Sequence, residues 1–350
     1  MKKILLISNK VMHYRSQIYN SFYDQFAEHG FEFHVVSNNY QEVSFDIHYK
    51  KHVLDFSVLS YIRFINELNP DICINFLHLK DKMIIPLTLY CRSKNIPMIY
   101  WGHGINLKTP NAVIKNLIFH FIHSISNALI IYSEEQLKYI WKCNWKKTFV
   151  AHNTLDFSNV DLNKVATPND VKQKYGIKER KVLLYISRIL PYKGLDILLE
   201  LFKNEKELAL VVVGGGINDS QLRRIDETPH FYYLGEKYGN DVDEIYNMGD
   251  VFSTPGHIGL AVNQAMFWGK PIVVLNRIHA PEIVYVHNGE NSYIVETPEA
   301  LHNTIMELVT NQNLYQRVSI NARHTFETEM GIDKMFNGFL EAIKYCESLR

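Results

Sequence analysis

The 350-residue sequence predicts an α/β protein of two doubly wound halves, each an open parallel sheet with helices on both faces. Three observations predict it. Short apolar runs alternate with amphipathic stretches at intervals of roughly 20–25 residues, as βαβ units require. The alternation breaks once, over a polar stretch at 153–170 that holds Pro168 and has no sustained period. The length suits two domains of roughly 150 residues, each with an ample core.

In chain order, the first strand is the run Ile4-Leu5-Leu6-Ile7 after Met1-Lys2-Lys3. That run is too short for a secretory leader and no small-residue cleavage site follows, so it reads as a buried strand. Further strands are expected at 31–36, 71–76, 98–101, 128–132 and 148–151, with helices at 14–28, 58–68, 82–93, 112–126 and 135–141. Residues 113–131 are nearly all apolar but contain Lys115, Asn116, His120, His123 and Asn127. They fit a helix running into a buried strand, or an interfacial helix touching bilayer headgroups. Beyond the linker, strands are expected at 182–186, 209–213, 231–234, 251–254 and 271–275 with helices between them. Helices at 299–310, 313–326 and 334–348 close the chain. In each half the ligand crevice belongs at the carboxyl ends of the strands, and the cleft between domains is the natural site.

Charge narrows the partners. The chain carries 37 Lys+Arg and 37 Asp+Glu, a balance that argues against a nucleic-acid partner. The zero conceals a split: residues 1–155 hold 17 basic and 11 acidic residues, net +6, and the remainder is net −6. A basic first half suits an anionic membrane or an anionic acceptor. Cys73, Cys91, Cys143 and Cys346 are scattered without a CxxC pair, so a disulfide framework is not expected and a reducing cytosol fits. No uninterrupted apolar run reaches spanning length.

The chemistry concentrates in the second half. A buried strand ends in Ser187-Arg188, and Pro191 and Gly194 bracket a loop that carries Lys193 to a helix start. Two cations sit badly in the field of a helix N-terminus unless an anion occupies the site. A pyrophosphate would meet a guanidinium fork, an ammonium and free amides. Val211-Val212-Val213 runs into Gly214-Gly215-Gly216, where a backbone can approach a ligand closely. This is not GxGxxG, and no acidic ribose reader follows, so a dinucleotide fingerprint is absent. Ser253-Thr254-Pro255-Gly256-His257-Ile258-Gly259-Leu260 precedes a helix with Asn263 and Gln264 on its first turns, offering a second set of unpaired amides. Those two side chains suit sugar hydroxyls or a helix cap. In the first half, His103 lies between Gly102 and Gly104 directly after a strand, and His13 and Arg15 follow the first strand. Arg15 suits a diphosphate contact or a solvated helix start. His152 belongs with the junction, and His120 and His123 with packing or an interface. There is no HExxH and no tight His/Asp/Glu cluster.

Taken in order, Ser-Arg-x-x-x-Tyr-Lys-Gly-Leu-Asp at 187–196, the three glycines, Pro-Gly-x-x-Gly-Leu at 255–260, Gln-Ala-Met at 264–266 and Gly-Lys-Pro-Ile-Val at 269–273 resemble the C-terminal domain of GT-B glycosyltransferases of family 4. Pro281-Glu282-Ile283-Val284 and Asn288-Gly289-Glu290-Asn291-Ser292 are similar to the family's next segment, and His152-Asn153-Thr154-Leu155-Asp156 to its inter-domain junction. The resemblance implies a GT-B fold, two Rossmann-like doubly wound domains facing a central cleft. Residues 1–155 would bind the acceptor and 156–330 the nucleotide sugar, with a C-terminal helix within 331–350 packing back on the first domain.

By the same resemblance, Arg188 and Lys193 bind the donor diphosphate and stabilise the charge that grows on it. Gly256, His257, Ile258, Gly259 and Leu260 lie under the donor sugar and phosphates. Gly214 and Gly215 approach the donor, Glu236 and Lys237 meet the base, and Gln264 reaches the ribose. His103 falls near the reacting centre, with His13 and Arg15 near donor phosphate or acceptor. The chain departs from the family where two glutamates usually stand with seven residues between them, for those positions are Gly256 and Gln264; His257 is the candidate replacement contact. The implied activity is sugar transfer from a nucleotide diphosphate donor to an acceptor hydroxyl, with retention and without a metal or other cofactor. The implied setting is surface polysaccharide or lipopolysaccharide assembly on a glycan or lipid-linked acceptor in a bacterial cytoplasm, peripheral to the membrane. A nucleotide-sugar 2-epimerase and a non-catalytic partner with the same fold are the alternatives.

Overall fold

A computed structural model describes residues 1–106 and 111–349. The chain forms two compact units, Met1–Asp156 with Gly331–Arg350, and Phe157–Met330. Both carry parallel sheets, so the α/β class read from the sequence holds.

The first unit contains β1 (Lys2–Ser8), α1 (His13–Glu28), β2 (Phe31–Ser37), β3 (Lys50–Val53), α2 (Val58–Leu68), β4 (Ile72–Phe76), α3 (Ile84–Ser93), β5 (Met98–Trp101), α4 (Val113–Ile125), β6 (Ala128–Ile131), β7 (Thr148–Val150) and the last helix, Ile332–Ser348. Its sheet order is β3-β2-β1-β4-β5-β6-β7, all parallel, with Ile4 opposite both Phe33 and Ile72. Alternate residues of β1 serve opposite faces. Ile4 and Leu6 join Phe22, Phe26, Phe33, Trp101 and Phe339; Leu5 and Ile7 join Tyr61, Ile65, Met98 and Leu129. A strand covered on both faces has to be apolar throughout, so β1 reads as one run rather than an alternation. Strand order reverses between β1 and β4, and ligands collect at the carboxyl ends beside such a reversal. The loops after β1, β4 and β5 emerge there, and Asn9 donates to Asp81 at 2.9 Å between the first two.

The second unit contains α5 (Pro168–Tyr175), β8 (Lys181–Ile186), α6 (Leu195–Leu201), β9 (Leu208–Val213), α7 (Asp219–Asp226), β10 (Phe231–Tyr233), α8 (Asn240–Met248), β11 (Val251–Phe252), α9 (Ala261–Phe267), β12 (Val273–Leu275), β13 (Tyr293–Val295), α10 (Pro298–Thr310) and α11 (Gln312–Glu329). The four-stranded sheet runs β10-β9-β8-β11, and a bridge between Phe252 and Ile272 carries it towards the β12-β13 pair. Helix starts follow local chemistry. The Thr167 hydroxyl accepts from the Asp170 N–H with Pro168 next in line, and Asn218 and Gln221 close a reciprocal capping box on α7. The order reverses between β8 and β11, which brings the loop of Arg188 and Lys193 to the loop of Gly256–Leu260.

Three elements differ from the sequence expectation. β3 is a polar edge strand, Lys-Lys-His-Val, with no apolar face to announce it. β13 has three residues and follows a glycine turn. Residues 134–139 form 3-10 turns rather than an α-helix, because each of these short pieces is held by packing rather than by its own length.

Candidate functional site

In the second unit, Arg188 is exposed at the end of β8, and Lys193 is half-buried at the end of a 3-10 turn, Pro191–Lys193. Among the described residues no carboxylate pairs with either. Burial, and next the Arg188 guanidinium, push the Lys193 ammonium down to about 8, while Glu282 works in the opposite direction. Lys193 therefore remains largely charged at neutral pH. Two cations close enough to disfavour one another form a site that gains from an anion. Lys193 Nζ donates to the His257 carbonyl at 2.5 Å.

The Gly256 loop corrects one expectation, that its amides are unpaired. The Gly256 N–H donates to the Lys193 carbonyl at 3.0 Å, His257 N–H to the Tyr192 carbonyl at 3.1 Å, and Ile258 N–H to His279 Nδ1 at 3.2 Å. Among the described residues, the Gly259 and Leu260 amides have no such partner at the opening of α9. A Cβ on Gly256 would stand 1.9 Å from the Tyr192 carbonyl oxygen, so the residue is glycine because two backbones meet there. His257 Nδ1 donates to the Ile278 carbonyl at 3.0 Å.

The glycine run is likewise committed to protein. A Cβ on Gly214 would lie 1.9 Å from the Ser187 carbonyl oxygen; Gly214 N–H donates to the Gly235 carbonyl, and Ile189 N–H to the Gly215 carbonyl. The glycines thus clamp the loop after β9 onto the backbone that carries Arg188. The Glu236 side chain lies over Gly215 and accepts from the Tyr238 hydroxyl at 2.6 Å, and the Lys237 ammonium sits 5.5 Å from the centre of the Tyr175 ring. Gln264, on α9, donates its amide N–H to Asp243 on α8 at 3.2 Å, and Trp268 Nε1 donates to the same oxygen at 3.2 Å. Burial raises the Asp243 carboxyl, and these two donors oppose the shift. With its nitrogen on Asp243, Gln264 has its carbonyl oxygen left to accept from a hydroxyl.

In the first unit, Arg15 is not a solvated helix-start residue. It is 5% exposed, its guanidinium 4.8 Å from the centre of Trp101 and 5.4 Å from that of Phe76, and it donates to Asn153 Oδ1 at 3.1 Å. His13 is fixed differently, its backbone N–H and its Nδ1 both directed to Gln41 Oε1. His152 pairs with Glu134 at 3.4 Å, His120 stacks on Trp141, and His123 is fully buried. His103 keeps solvent contact, yet desolvation, with His78 and Arg15 nearby, lowers it to about 4, so it is neutral at physiological pH. The Tyr132 N–H donates to Gln136 Oε1 at 2.8 Å, and Gln136 Nε2 therefore faces His103 Nδ1, 3.1 Å away.

Sequence reasoning did not single out Gln136 or Asp243. Each acts across a turn or between helices, and neither belongs to a recognisable local pattern. Glu282, quoted only within a longer resemblance, is buried, with Oε2 lying 3.8 Å from where a Cβ on Gly259 would stand.

Residues 169–325 match the family model described as Glycosyl transferases group 1. Spore coat protein SA of Bacillus subtilis is 23% identical over 194 residues, 49% of this chain and 50% of that protein. The GDP-mannose-dependent alpha-(1-6)-phosphatidylinositol monomannoside mannosyltransferase of Mycolicibacterium smegmatis is 24% identical over 189 residues, 47% and 49% of the two chains. The match spans about half the length of these curated relatives. Among solved structures, Anabaena Alr3699/HepE in complex with UDP is similar at a TM-score of 0.78 and 15% identity, over 98% of this chain and 100% of that one. The same protein in complex with UDP-glucose gives 0.76 at 15% identity and the same coverage. Likeness at that identity concerns the fold alone, which is GT-B.

Proposed function

We propose that this chain, whose residues 169–325 match the glycosyl transferases group 1 model, transfers a sugar from a nucleoside diphosphate donor to an acceptor hydroxyl. The observation that carries this proposal is the pair Arg188 and Lys193 at the β8/β11 reversal: the Arg188 guanidinium disfavours the Lys193 ammonium, and among the described residues neither forms an ion pair with a carboxylate. As the glycosidic bond breaks, negative charge grows on the leaving diphosphate, and cations fixed beforehand stabilise it without reorganising. They take the place that a metal holds in other phosphate sites, and no metal enters the scheme.

The proposed outcome is retention. The acceptor oxygen forms its bond on the face that the diphosphate leaves, and the departing phosphate oxygen takes the acceptor's proton. Arg188 and Lys193 hold the diphosphate, Gly259 and Leu260 offer amides beneath it, and Gln264 accepts from a ribose hydroxyl. His103 donates a neutral hydrogen bond through Nε2 towards the reacting sugar. Support for a nucleotide-sugar donor comes from the UDP and UDP-glucose complexes of the Anabaena protein and the GDP-mannose in the mycobacterial relative's name. That relative's name also includes a phosphatidylinositol acceptor, which supports a lipid-linked or glycan acceptor here. The proposed setting is surface polysaccharide assembly at the inner face of a bacterial cytoplasmic membrane.

A panel of UDP- and GDP-sugars tests this directly. Release of the nucleoside diphosphate by transfer or slow hydrolysis is expected with at least one donor. Epimerised donor without transfer would assign the protein to the 2-epimerases. Tight nucleotide binding with no turnover across the panel would make it a non-catalytic partner, the outcome that the departures at Gly256 and Gln264 favour.

A further inference from the structure

We infer that the outward face of α4, with the turns at 134–147, docks on an anionic lipid bilayer. Val113, Ile114, Leu117, Ile118 and Phe121 are 69%, 77%, 52%, 38% and 47% exposed. At roughly 100° per residue they fill an arc of about 140°. Ile122 and His123, on the opposite side, are buried against the sheet. An ordinary amphipathic helix turns its apolar arc inward and its polar arc to water; α4 is apolar on both sides, and among the described residues nothing covers the outer side.

The neighbouring turns extend the face. His120 stacks on Trp141 with ring centres 4.3 Å apart, which sets the turns beside the helix, and Trp141 and Trp145 are 48% and 43% exposed. Lys147 Nζ donates to the carbonyls of His123 and Ser126 at 2.8 and 2.6 Å, holding the end of α4 to the same turns. Lys115 is exposed on α4, which has no acidic residue, and Lys138, Lys142 and Lys146 are exposed on the turns; the exposed carboxylates there are Glu134, which pairs with His152, and Glu135, so the cations predominate.

Charge complementarity selects the occupant. Exposed tryptophans beside lysines and around aliphatic side chains match the layering of a bilayer surface, with indoles at headgroup level, ammonium groups on anionic lipid and aliphatic groups just below. No described helix is long and apolar enough to cross a membrane, so the contact lies in the interface plane. This names the surface for the membrane setting proposed above, and it rests on that setting. Its readout is binding alone, so its failure and a failure of sugar transfer are separate results.

The experiment is co-sedimentation of the full chain with vesicles of phosphatidylcholine containing a quarter phosphatidylglycerol, and with phosphatidylcholine alone. Binding to the mixed vesicles is expected, weaker at high salt and much weaker without the anionic lipid. The double variant Leu117→Ser with Phe121→Ser should lower partitioning at least about tenfold. Trp141→Ala with Trp145→Ala should lower it as well. Leu117 and Phe121 are exposed, so an unchanged thermal melt is expected for that variant and verifies folding; the tryptophan variant loses the Trp141–His120 stack and the Trp145 hydrogen bond to the Ile140 carbonyl, so it is compared at a temperature where its melt shows it folded. No binding to mixed vesicles, equal binding to both kinds, or undiminished binding by folded variants would overturn the inference. So would a dimer that the Leu117→Ser and Phe121→Ser variant dissociates while the wild type ignores vesicles, since a second copy would then own the face.

Discussion

Gln136 decides which proton His103 carries. Its carbonyl is held by the Tyr132 N–H, so its nitrogen must donate to His103 Nδ1, and the neutral ring keeps its proton on Nε2. Substituting Gln136→Glu places a carboxylate against Nδ1. That favours a proton there and raises the imidazole from about 4 towards its ordinary range. Nitrogen-15 NMR of His103 should show the Nε2–H tautomer in the wild type, with titration below about pH 5. It should show a protonated Nδ1 and a higher titration point in the variant. If His103 donates to substrate as a neutral ring, the acid limb of the activity profile moves up with that point. Identical spectra in the two proteins would remove Gln136 from this role.

Arg188 should matter through charge. Exposed and without an ionic partner among the described residues, it has no evident structural duty, so Arg188→Ala should melt like the wild type. Its turnover should fall by the worth of a preorganised electrostatic contact, roughly 2–4 kcal/mol. Arg188→Lys should recover part of this, because a point charge replaces a fork. Steady-state kcat/KM with the best donor measures the loss, and wild-type turnover in Arg188→Ala would refute its place at the diphosphate.

Gly256 makes the opposite case, a residue whose constraint is steric. Any Cβ there meets the Tyr192 carbonyl oxygen at 1.9 Å, and that backbone carries Lys193. Gly256→Ala should therefore destabilise the fold by roughly 1–3 kcal/mol, as overpacking does, and displace Lys193. Gly256→Glu, which introduces the glutamate that the sequence resemblance implies at this position, should do worse rather than better. Chemical denaturation supplies the first number and nucleoside diphosphate affinity the second.

His123 couples the first unit to pH. The ring is fully buried beside Tyr100, and burial, then His120 and Lys147, lower it to about 3 from an ordinary 6.5. Between those values the unfolded chain takes up the proton and the folded chain resists, so stability falls as pH drops through the window. The slope from one such group is at most about 1.4 kcal/mol per pH unit. His123→Leu should flatten it, seen as a smaller loss of urea midpoint between neutral pH and about pH 5.

Much of the scaffold was legible in the chain because one physical rule governs it. β1, β5 and β9 are covered on both faces and must be apolar throughout, so their runs announce themselves. β3, an exposed edge of Lys-Lys-His-Val, has no such requirement and no such signal. The loops of Arg188, Lys193 and Gly256 were legible as places, since glycine, proline and charge at strand ends are unusual. Their internal wiring was not. Whether the Gly256 N–H serves a ligand or the Lys193 carbonyl depends on two loops far apart in sequence meeting at the β8/β11 reversal, and no local pattern announces that contact. The burial of Arg15 was hidden for the same reason, because nothing local tells a helix-start arginine that Trp101 and Phe76 will enclose it.

Asp243 explains why position 264 holds glutamine. A carboxylate there would face Asp243 at about the present 3.2 Å, and two such groups cannot both stay ionised at low cost. Glutamine avoids the conflict, since its nitrogen satisfies Asp243 and its carbonyl remains an acceptor. Gln264→Glu alone should therefore lower the melting temperature and weaken nucleotide binding. Adding Asp243→Asn should recover much of both, because the new amide accepts from Trp268 and donates to the new carboxylate. Coupling in this double-mutant cycle should fall in the range of roughly 0.5–3 kcal/mol that contacting residues show. A further variant, Gln264→Ala, separates the two duties of Gln264 when nucleotide is compared with its 2′- and 3′-deoxy forms: a pure packing role leaves the ratio of affinities the same as in the wild type, whereas a hydroxyl contact makes it smaller in Gln264→Ala. Additive single-variant effects would mean that Asp243 and residue 264 merely sit side by side.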